Sequence, residues 1–408
     1  MLYDIHELRR SFLAPLTAFT DTGSQLFSHP YSPFAYTPIS RQISAAYELV
    51  HRLGKDYEKP MWGLHSTTIN GQEVPVTVET TLAKPFCHLV HFRRNTGSTT
   101  LNDPKILLVA PMSGHHATLL RDTVRALLPN HEIYVTDWVD ARMVPVSAGP
   151  FHLNDYVRYV QEFIRFLGPD VHVISVCQPT VPVLAAISLM AANNDPKQPR
   201  SMIMMGGPID TRQSPTQVNT LATTKPYSWF EDNLIHRVPA RYPGAGRKVY
   251  PGFLQHAGFI AMNPDRHLQS HYDFYMDLIK GDNDDAESHR RFYDEYNAVL
   301  DMPAEFYLDT IRIVFQEHQL PRKEWLIDGQ LVDPGAITQV RLLTIEGELD
   351  DISGLGQTRA ALDLCSSLPD TMKQHYTAEK AGHYGIFSGS RWRQIICPKI
   401  AAFIRQEN

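Results

Sequence analysis

The sequence predicts an α/β fold built on a doubly wound parallel sheet. Three observations predict it: short apolar strand candidates recur along the chain, helical patterns separate them, and this rhythm stops and later resumes. The 408 residues, with 43% hydrophobic and 20% charged side chains, supply the material for a sizeable core. One α/β core interrupted by an insertion therefore accounts for most of the chain.

Helical patterns precede the sheet. Apolar residues such as Ile5, Leu8 and Phe12 recur every three to four positions, and the same spacing returns after a proline- and aromatic-rich connector at 29–38. The pattern changes near residue 64. Residues 1–63 are therefore predicted to form an N-terminal helical extension.

The alternation of strands and helices then defines the core. Two strand candidates, 74–81 and 86–92, are predicted to pair as a hairpin. The next candidates are strand 106–110, helix 116–128, strand 133–136, a helix capped by Asn154, strand 171–176, helix 179–192 and strand 202–205. The last are strand 337–346, a helix near 356–366, strand 374–377 and helix 391–405. The core is assigned to 64–210 and 336–408.

Residues 211–335 lack this rhythm and are predicted to form an inserted, mostly helical lid or cap. From 221 to 330, 17 of 110 residues are aromatic, a larger share than the 10% of the whole chain. This density is typical either of an apolar binding channel or of the core of an inserted helical domain.

Composition excludes several functions. A net charge of −6 argues against sequence-independent binding of nucleic acid, because such binding needs a basic surface. Four cysteines without a C-x-x-C pair predict neither a disulfide framework nor a structural zinc site. The apolar stretch 181–192 is too short to span a bilayer, and the first residues lack a signal-peptide pattern. We therefore expect a cytoplasmic protein without a transmembrane segment.

The segment Ser175-Val-Cys177-Gln-Pro179 resembles a nucleophile elbow with cysteine in place of serine. A buried strand runs into Cys177 and a helix begins at once, so the free N–H groups of the helix start favour a thiolate. The alternative is a small buried cysteine without a chemical role.

A catalytic acid and a histidine follow in the chain order of an α/β-hydrolase. His383 lies in a glycine-containing loop after the last strand, where it can reach the elbow. Four carboxylates follow the strand before it and are all candidates for the acid: Glu346, Glu348, Asp350 and Asp351. Together with Cys177 they predict an α/β-hydrolase fold.

An oxyanion hole requires two donors. One is the backbone N–H of Gln178, and the other comes from the loop after strand 106–110, from Met112 or Ser113, with Met112 favoured. The adjacent His115 and His116 are poor metal ligands because neighbouring residues on a helix point apart, so no metal is predicted. The closely spaced glycines of the chain match neither the P-loop motif nor the dinucleotide-binding motif, so no nucleotide site is predicted.

With these residues assembled, nearly the whole chain resembles the intracellular polyhydroxybutyrate depolymerases, which are related to polyhydroxyalkanoate synthases. The segments that carry the resemblance are Ser-Val-Cys177-Gln-Pro-Thr, Ala-Pro-Met-Ser-Gly-His-His116, Thr136-Asp-Trp138, Met204-Met-Gly-Gly-Pro-Ile-Asp210, Met302-Pro-Ala-Glu-Phe-Tyr307, Glu348-Leu-Asp-Asp-Ile-Ser-Gly354 and Ala381-Gly-His-Tyr-Gly385. The family uses a Cys–Asp–His triad, which the resemblance maps onto Cys177, Asp350 and His383. Asp351 is the second choice for the acid. Synthases usually have glycines at the elbow, so the serine and proline here favour a depolymerase.

The resemblance implies cleavage of polyester through a thioester on Cys177, with no cofactor and with either water or coenzyme A as the acyl acceptor. The expected partner is the surface of an amorphous polymer granule in the cytoplasm, and a homodimer is compatible with the resemblance. The insertion would then supply an apolar channel. Its candidate residues, chosen because they cluster there, are Trp229, Phe230, Phe274, Tyr275 and Phe306.

Three other functions stay open. A synthase or another thioester acyltransferase would use the same triad in the opposite direction. A granule-coat protein would bind polymer without cleaving it, and a general esterase would prefer short soluble esters.

Overall fold

The computed structural model describes residues 2–29, 31–37, 39–97, 101–262, 264–280 and 283–406. Its strands are β1 Ser66–Ile69, β2 Gln72–Ala83, β3 Cys87–Arg94, β4 Lys105–Val109, β5 Glu132–Trp138, β6 Val171–Val176, β7 Ser201–Met205, β8 His236–Arg237, β9 Lys248–Tyr250, β10 Met302–Pro303, β11 Leu326–Ile327, β12 Gln330–Leu331, β13 Arg341–Gly347 and β14 Lys373–Ala378. Nine of these strands form one sheet, in the order β1-β2-β3-β5-β4-β6-β7-β13-β14.

The helices surround this sheet. They are α1 Leu2–Ser28, α2 Ser40–Gly54, α3 Arg121–Leu127, α4 Leu153–Leu167, α5 Thr180–Ala192, α6 Gln217–Thr224, α7 Tyr227–Leu234, α8 Gly252–Met262, α9 Pro264–Lys280, α10 Asn283–Tyr296, α11 Ala304–Asp309, α12 Gln319–Arg322, α13 Ala360–Leu364, α14 Gly389–Arg391 and α15 Cys397–Arg405. No helix in the described part of the chain has both the length and the apolar content that crossing a membrane requires.

The central strands are parallel, and β3 joins them antiparallel to β5. Every residue of β6, β7 and β13 is buried, as expected for parallel strands covered by helices on both faces. The exchange of β4 and β5 in the sheet, followed by β6, β7, β13 and β14 in sequence, is the strand order of the α/β-hydrolase fold. The predicted fold class is therefore confirmed.

Between β7 and β13 the chain leaves the sheet and forms α6 to α12, as the helical character of the insertion predicted. Short strands also occur here: β8, β9 and β10 form a three-stranded sheet, and β11 pairs with β12. These strands of two or three residues have no sequence pattern of their own, because so short a strand spans barely one alternation.

Two predicted helix starts differ from the structure. Helix α4 begins at Leu153, and the N-cap is His152, whose backbone N–H donates to the Asp155 Oδ2 atom at 2.8 Å. Asn154 instead lies in the first turn and accepts a hydrogen bond from the Trp325 Nε1 atom at 3.1 Å. The predicted helix 116–128 begins as a 3₁₀ turn, Ala117–Leu120, before α3.

Helix α1 is attached to the insertion through a buried contact near its start. The Tyr3 hydroxyl donates to the Asp301 Oδ2 atom at 2.7 Å, and the Gly252 N–H donates to the other oxygen at 2.8 Å. The side of α1 that carries Ile5, Leu8 and Phe12 faces away from the protein, and these side chains are exposed. The helical spacing predicted the helix, but the apolar side is not the side that packs.

Candidate active site

Cys177 lies in a strained turn between β6 and α5. Its backbone has φ of 68°, in the left-handed region that non-glycine residues rarely adopt, and its N–H donates to the Met205 carbonyl at 2.7 Å. Ser175, two residues before Cys177, is fully buried and donates to the Ile203 carbonyl at 3.3 Å. The turn holds the half-buried Cys177 thiol at the carboxyl end of the sheet, which is the geometry of a nucleophile elbow.

His383 and Asp350 meet beside this turn. The His383 Nδ1 atom lies 2.8 Å from the Asp350 Oδ2 atom, and the His383 side chain also interacts with the Cys177 side chain. The Asp350 carboxylate is fully buried, and its Oδ1 atom accepts the backbone N–H groups of Ile352 and Ser353 at 2.9 Å each. Both oxygens of Asp350 are therefore held in place.

The other three carboxylates of this loop have different partners. Glu346 accepts the backbone N–H groups of Gly356 and Arg359, the latter at 2.8 Å. Glu348 accepts the backbone N–H of Lys380 at 2.6 Å, and Asp351 is exposed. Of the four carboxylates, the structure brings Asp350 to His383.

The charge state of His383 follows from its neighbours. Burial alone acts to lower the pKa of the imidazole, but the negative charges of Cys177 and Asp350 and the hydrogen bonds to both outweigh it. The net effect raises the pKa of His383 well above its ordinary value. The arrangement therefore favours the imidazolium form of His383.

The two residues predicted to supply the oxyanion donors, Gln178 and Met112, are in contact. Gln178 starts the turn into α5, where the first N–H groups of a helix have no intrahelical acceptor. The Met112 N–H donates to the side-chain oxygen of Gln178 at 3.4 Å, a long and therefore weak bond. The amide oxygen of Gln178 thus occupies the Met112 N–H, one of the two predicted oxyanion donors.

The start of the Met112 loop is held at Ala110. The Ala110 N–H donates to Thr136 Oγ1 at 2.9 Å, and its carbonyl accepts the Trp138 indole N–H at 2.8 Å and the Tyr156 hydroxyl at 3.1 Å. These bonds give the Thr136-Asp-Trp138 segment a physical role that its sequence pattern alone did not indicate.

Residues 206–408, which include Asp350 and His383, match the family model described as PHB de-polymerase C-terminus. The chain belongs to the PHB depolymerase family. It is accordingly an ester hydrolase. None of the curated proteins compared with the chain matches it.

Solved structures of hydrolases are also similar to this depolymerase-family chain. The 2-hydroxy-6-oxo-6-phenylhexa-2,4-dienoate hydrolase of Rhodococcus sp. strain RHA1 is 12% identical to this chain, with a TM-score of 0.46. The match covers 82% of this chain and 100% of the hydrolase. A hydrolase from Pseudomonas aeruginosa PA01 is 13% identical, with a TM-score of 0.46, and the match covers 81% of this chain and 98% of that hydrolase.

The insertion of this PHB depolymerase-family chain covers the loops of the candidate site. The His115 ring stacks on Phe259 of α8, with ring centroids 4.9 Å apart, and Tyr384 lies 6.4 Å from Phe292 of α10. Phe306 of α11 stacks on Tyr156 at 5.6 Å. The insertion therefore lies against the loops that carry His115 and Tyr384, next to the predicted site residues Met112 and His383.

The predicted channel residues fall into two groups. Phe230, Phe274 and Phe306 are each 1% exposed, which is the packing of core side chains. Trp229 and Tyr275 are half-buried. The structure therefore leaves only the latter two with surface available to a substrate, and the role of all five in binding stays a prediction.

Gly206 is a site residue whose role the sequence analysis did not identify. It follows β7 with φ of +55°, and a Cβ atom added there would lie 3.3 Å from Asp350 Oδ2, 3.4 Å from His383 Cε1 and 2.6 Å from Ile386 Cδ1. The Gly-Gly pair of the family motif is the signal that marks this position. Glycine lets the backbone approach the histidine and the acid closely.

Replacing Gly206 with alanine is expected to lower kcat on a short ester by about ten- to a hundredfold, because a small displacement of the reacting groups has that effect. Gly329→Ala is the matched control, since Gly329 also has positive φ, of +79°, but open space around its missing Cβ. Steady-state kinetics of both folded variants measures the difference. Equal activity of the two would show that the close approach at Gly206 has no catalytic consequence.

Proposed function

We propose that this chain is an intracellular depolymerase that cleaves amorphous poly(3-hydroxybutyrate) granules through Cys177, His383 and Asp350. The observation that carries the proposal is the hydrogen-bonded series of Cys177, His383 and Asp350 in a chain of this family. A thiolate at an elbow, an imidazole and a buried carboxylate are the groups that acyl transfer through a covalent intermediate requires.

In the first step, the Cys177 sulfur attacks the ester carbonyl carbon of the polymer. The N–H groups of Gln178 and Met112 stabilise the resulting oxyanion after the substrate oxygen displaces the Gln178 side chain. The carbon–oxygen bond then breaks, and the leaving alkoxide takes a proton from His383. The products are a shortened chain with a free hydroxyl and a thioester on Cys177.

In the second step, neutral His383 takes a proton from water, and the hydroxide formed attacks the thioester carbonyl. The carbon–sulfur bond breaks, which regenerates the thiolate and releases a 3-hydroxybutyrate unit or oligomer as the acid. Coenzyme A is the alternative acceptor, since its thiol would exchange with the thioester to give an acyl-CoA. Apart from that acceptor, the proposed reaction needs no cofactor.

A large surface cavity elsewhere is a poor candidate for the polymer site. It has a volume of about 780 Å³, and its lining includes His152, Asp155, Arg158 and Asp309 but none of the three proposed catalytic residues. A charged lining suits an apolar polyester badly. The proposed substrate path is therefore the one that the insertion covers.

Incubating the pure protein with amorphous polymer granules tests the proposed function. We expect release of 3-hydroxybutyrate acids, and product analysis with and without coenzyme A identifies the acceptor. Hydrolysis of short soluble esters without release from granules would make the protein a general esterase. Polymer formed from hydroxybutyryl-CoA would make it a synthase, and granule binding without products would make it a coat protein.

The raised pKa of His383 predicts the pH dependence. As pH rises through that pKa, the imidazolium that protonates the leaving group is lost, so kcat/KM for a short ester falls on the alkaline side, well above the ordinary pKa of histidine. Asp350→Asn removes one of the negative charges that raise this pKa, so its alkaline limb moves to lower pH. Asp351→Asn is the control, and an unmoved limb in Asp350→Asn would contradict the assigned cause.

A further inference from the structure

One surface of the molecule is unexpectedly apolar. Five large side chains between Ile5 and Phe19 of α1, here called the outer stripe, are exposed to solvent although a helix normally turns such residues inward. They are Ile5 at 52%, Leu8 at 59%, Phe12 at 75%, Leu16 at 48% and Phe19 at 62% exposed. At 3.6 residues per turn, the five fall within an arc of about 80°. The residues are therefore one continuous stripe along the helix and not scattered exceptions.

The first part of the outer stripe, from Ile5 to Phe12, is not on the side that α1 uses to pack. The buried residues of α1 are Tyr3, Glu7, Thr20 and Gly23, and the first of them reaches Asp301 in the insertion. Gly23 lies against Tyr47 of α2, so close that a Cβ atom would lie 3.0 Å from its ring. At Ile5, Leu8 and Phe12 the helix is thus held to the protein from another side. Near its end the stripe borders α2, where the exposed Phe19 ring also contacts the Tyr47 ring with centroids 6.0 Å apart.

We propose that the outer stripe is the surface with which this protein docks on an uncharged, apolar polyester. This inference rests on the proposed function and adds the place of contact. An exposed apolar patch of this kind marks an interaction surface, and a helix that lies flat on an apolar phase buries such a stripe.

The charges of α1 favour an uncharged polyester as the docking partner. Helix α1 carries only two basic residues, Arg9 and Arg10, against three acidic ones, and no charged residue lies between Arg10 and Asp21. Helices that bind anionic lipid surfaces instead carry several lysines and arginines beside the apolar face. A polyester presents methyl groups and ester oxygens without net charge. The uncharged run of α1 therefore fits the polymer better than an anionic membrane.

The size of the outer stripe argues against a second copy of the chain. A stable protein–protein interface uses roughly 20–30 residues on each side and matched shapes. Five side chains on one helix are too few for that. They suffice on an extended polymer surface, which adapts to any shape, and the free energy of contact there grows with apolar area alone.

The triple variant Leu8→Gln, Phe12→Gln, Phe19→Gln tests the proposal in the full chain. With Cys177→Ala added to prevent turnover, we expect at least about a hundredfold weaker binding to amorphous polymer particles in a sedimentation assay, since each apolar side chain contributes roughly tenfold or more. Without Cys177→Ala, hydrolysis of a short soluble ester should be unchanged. The matched control is Phe166→Gln with Ile395→Gln, which replaces side chains 54% and 41% exposed elsewhere.

The outcomes separate this inference from the proposed function. If the parent protein degrades particles and the triple variant binds them equally well, the docking surface is elsewhere and the depolymerase proposal stands. If the parent neither binds nor degrades particles, both fail. Loss of a dimer in sedimentation velocity, or equal losses on phosphatidylglycerol vesicles and polymer particles, would assign the stripe to a second copy or to lipid and overturn the proposal.

Discussion

Replacing Cys177 with alanine is expected to lower kcat/KM on polymer and on short esters by at least about 10⁵-fold, because the three residues of a triad act as one unit. The substitution removes only the sulfur at a half-buried position. Alanine also tolerates the turn about as well as cysteine does. Folding and particle binding should therefore persist, as circular dichroism and sedimentation with particles would show.

The other cysteines provide the controls for this prediction. Burial raises the pKa of the Cys87 thiol well above its ordinary value, that of Cys365 to about 12 and that of Cys397 to about 11. These thiols stay protonated at neutral pH, so iodoacetamide should label Cys177 first and inactivate the enzyme. Cys397→Ala should leave activity nearly intact. An active Cys177→Ala variant would refute the proposed nucleophile.

Replacing Asp350 with asparagine is expected to lower kcat by about 10⁴-fold, as loss of the orienting carboxylate does in other triads. Asparagine has nearly the same shape as aspartate but lacks the negative charge that favours the imidazolium. Its amide nitrogen can also face the ring, and this nitrogen cannot accept a hydrogen bond from the imidazole. Neighbouring Asp351 is exposed and should tolerate the same change with an effect below about tenfold.

Kinetics of Asp350→Asn and Asp351→Asn on one short ester checks this prediction. A thermal unfolding curve of each variant separates a catalytic effect from loss of the loop, since Asp350 also accepts the backbone N–H groups of Ile352 and Ser353. If Asp351→Asn is the impaired variant, the acid has been placed one residue too early.

Much of the α/β core could be predicted because its signals are local. A strand such as β6 is apolar throughout since both faces are covered, and α5 is buried along most of its length, so their sequences differ visibly from their surroundings. The order of nucleophile, acid and histidine is also a property of the chain. The sequence therefore predicted the hydrolase fold, the elbow at Cys177 and the loop of His383.

The rest depends on which residues meet in space. Sequence reasoning left four carboxylates open until the family resemblance chose Asp350, and the hydrogen bonds of the folded loop distinguish them by geometry. The aromatic density of the insertion did not separate exposed from buried rings, and Phe306 proved to be core. Periodicity gives the angle of a side chain around its helix axis, but the neighbours that cover that angle come from distant parts of the chain. This is why the helix at Ile5, Leu8 and Phe12 was predictable from sequence while the outward direction of its apolar stripe was decided by tertiary packing.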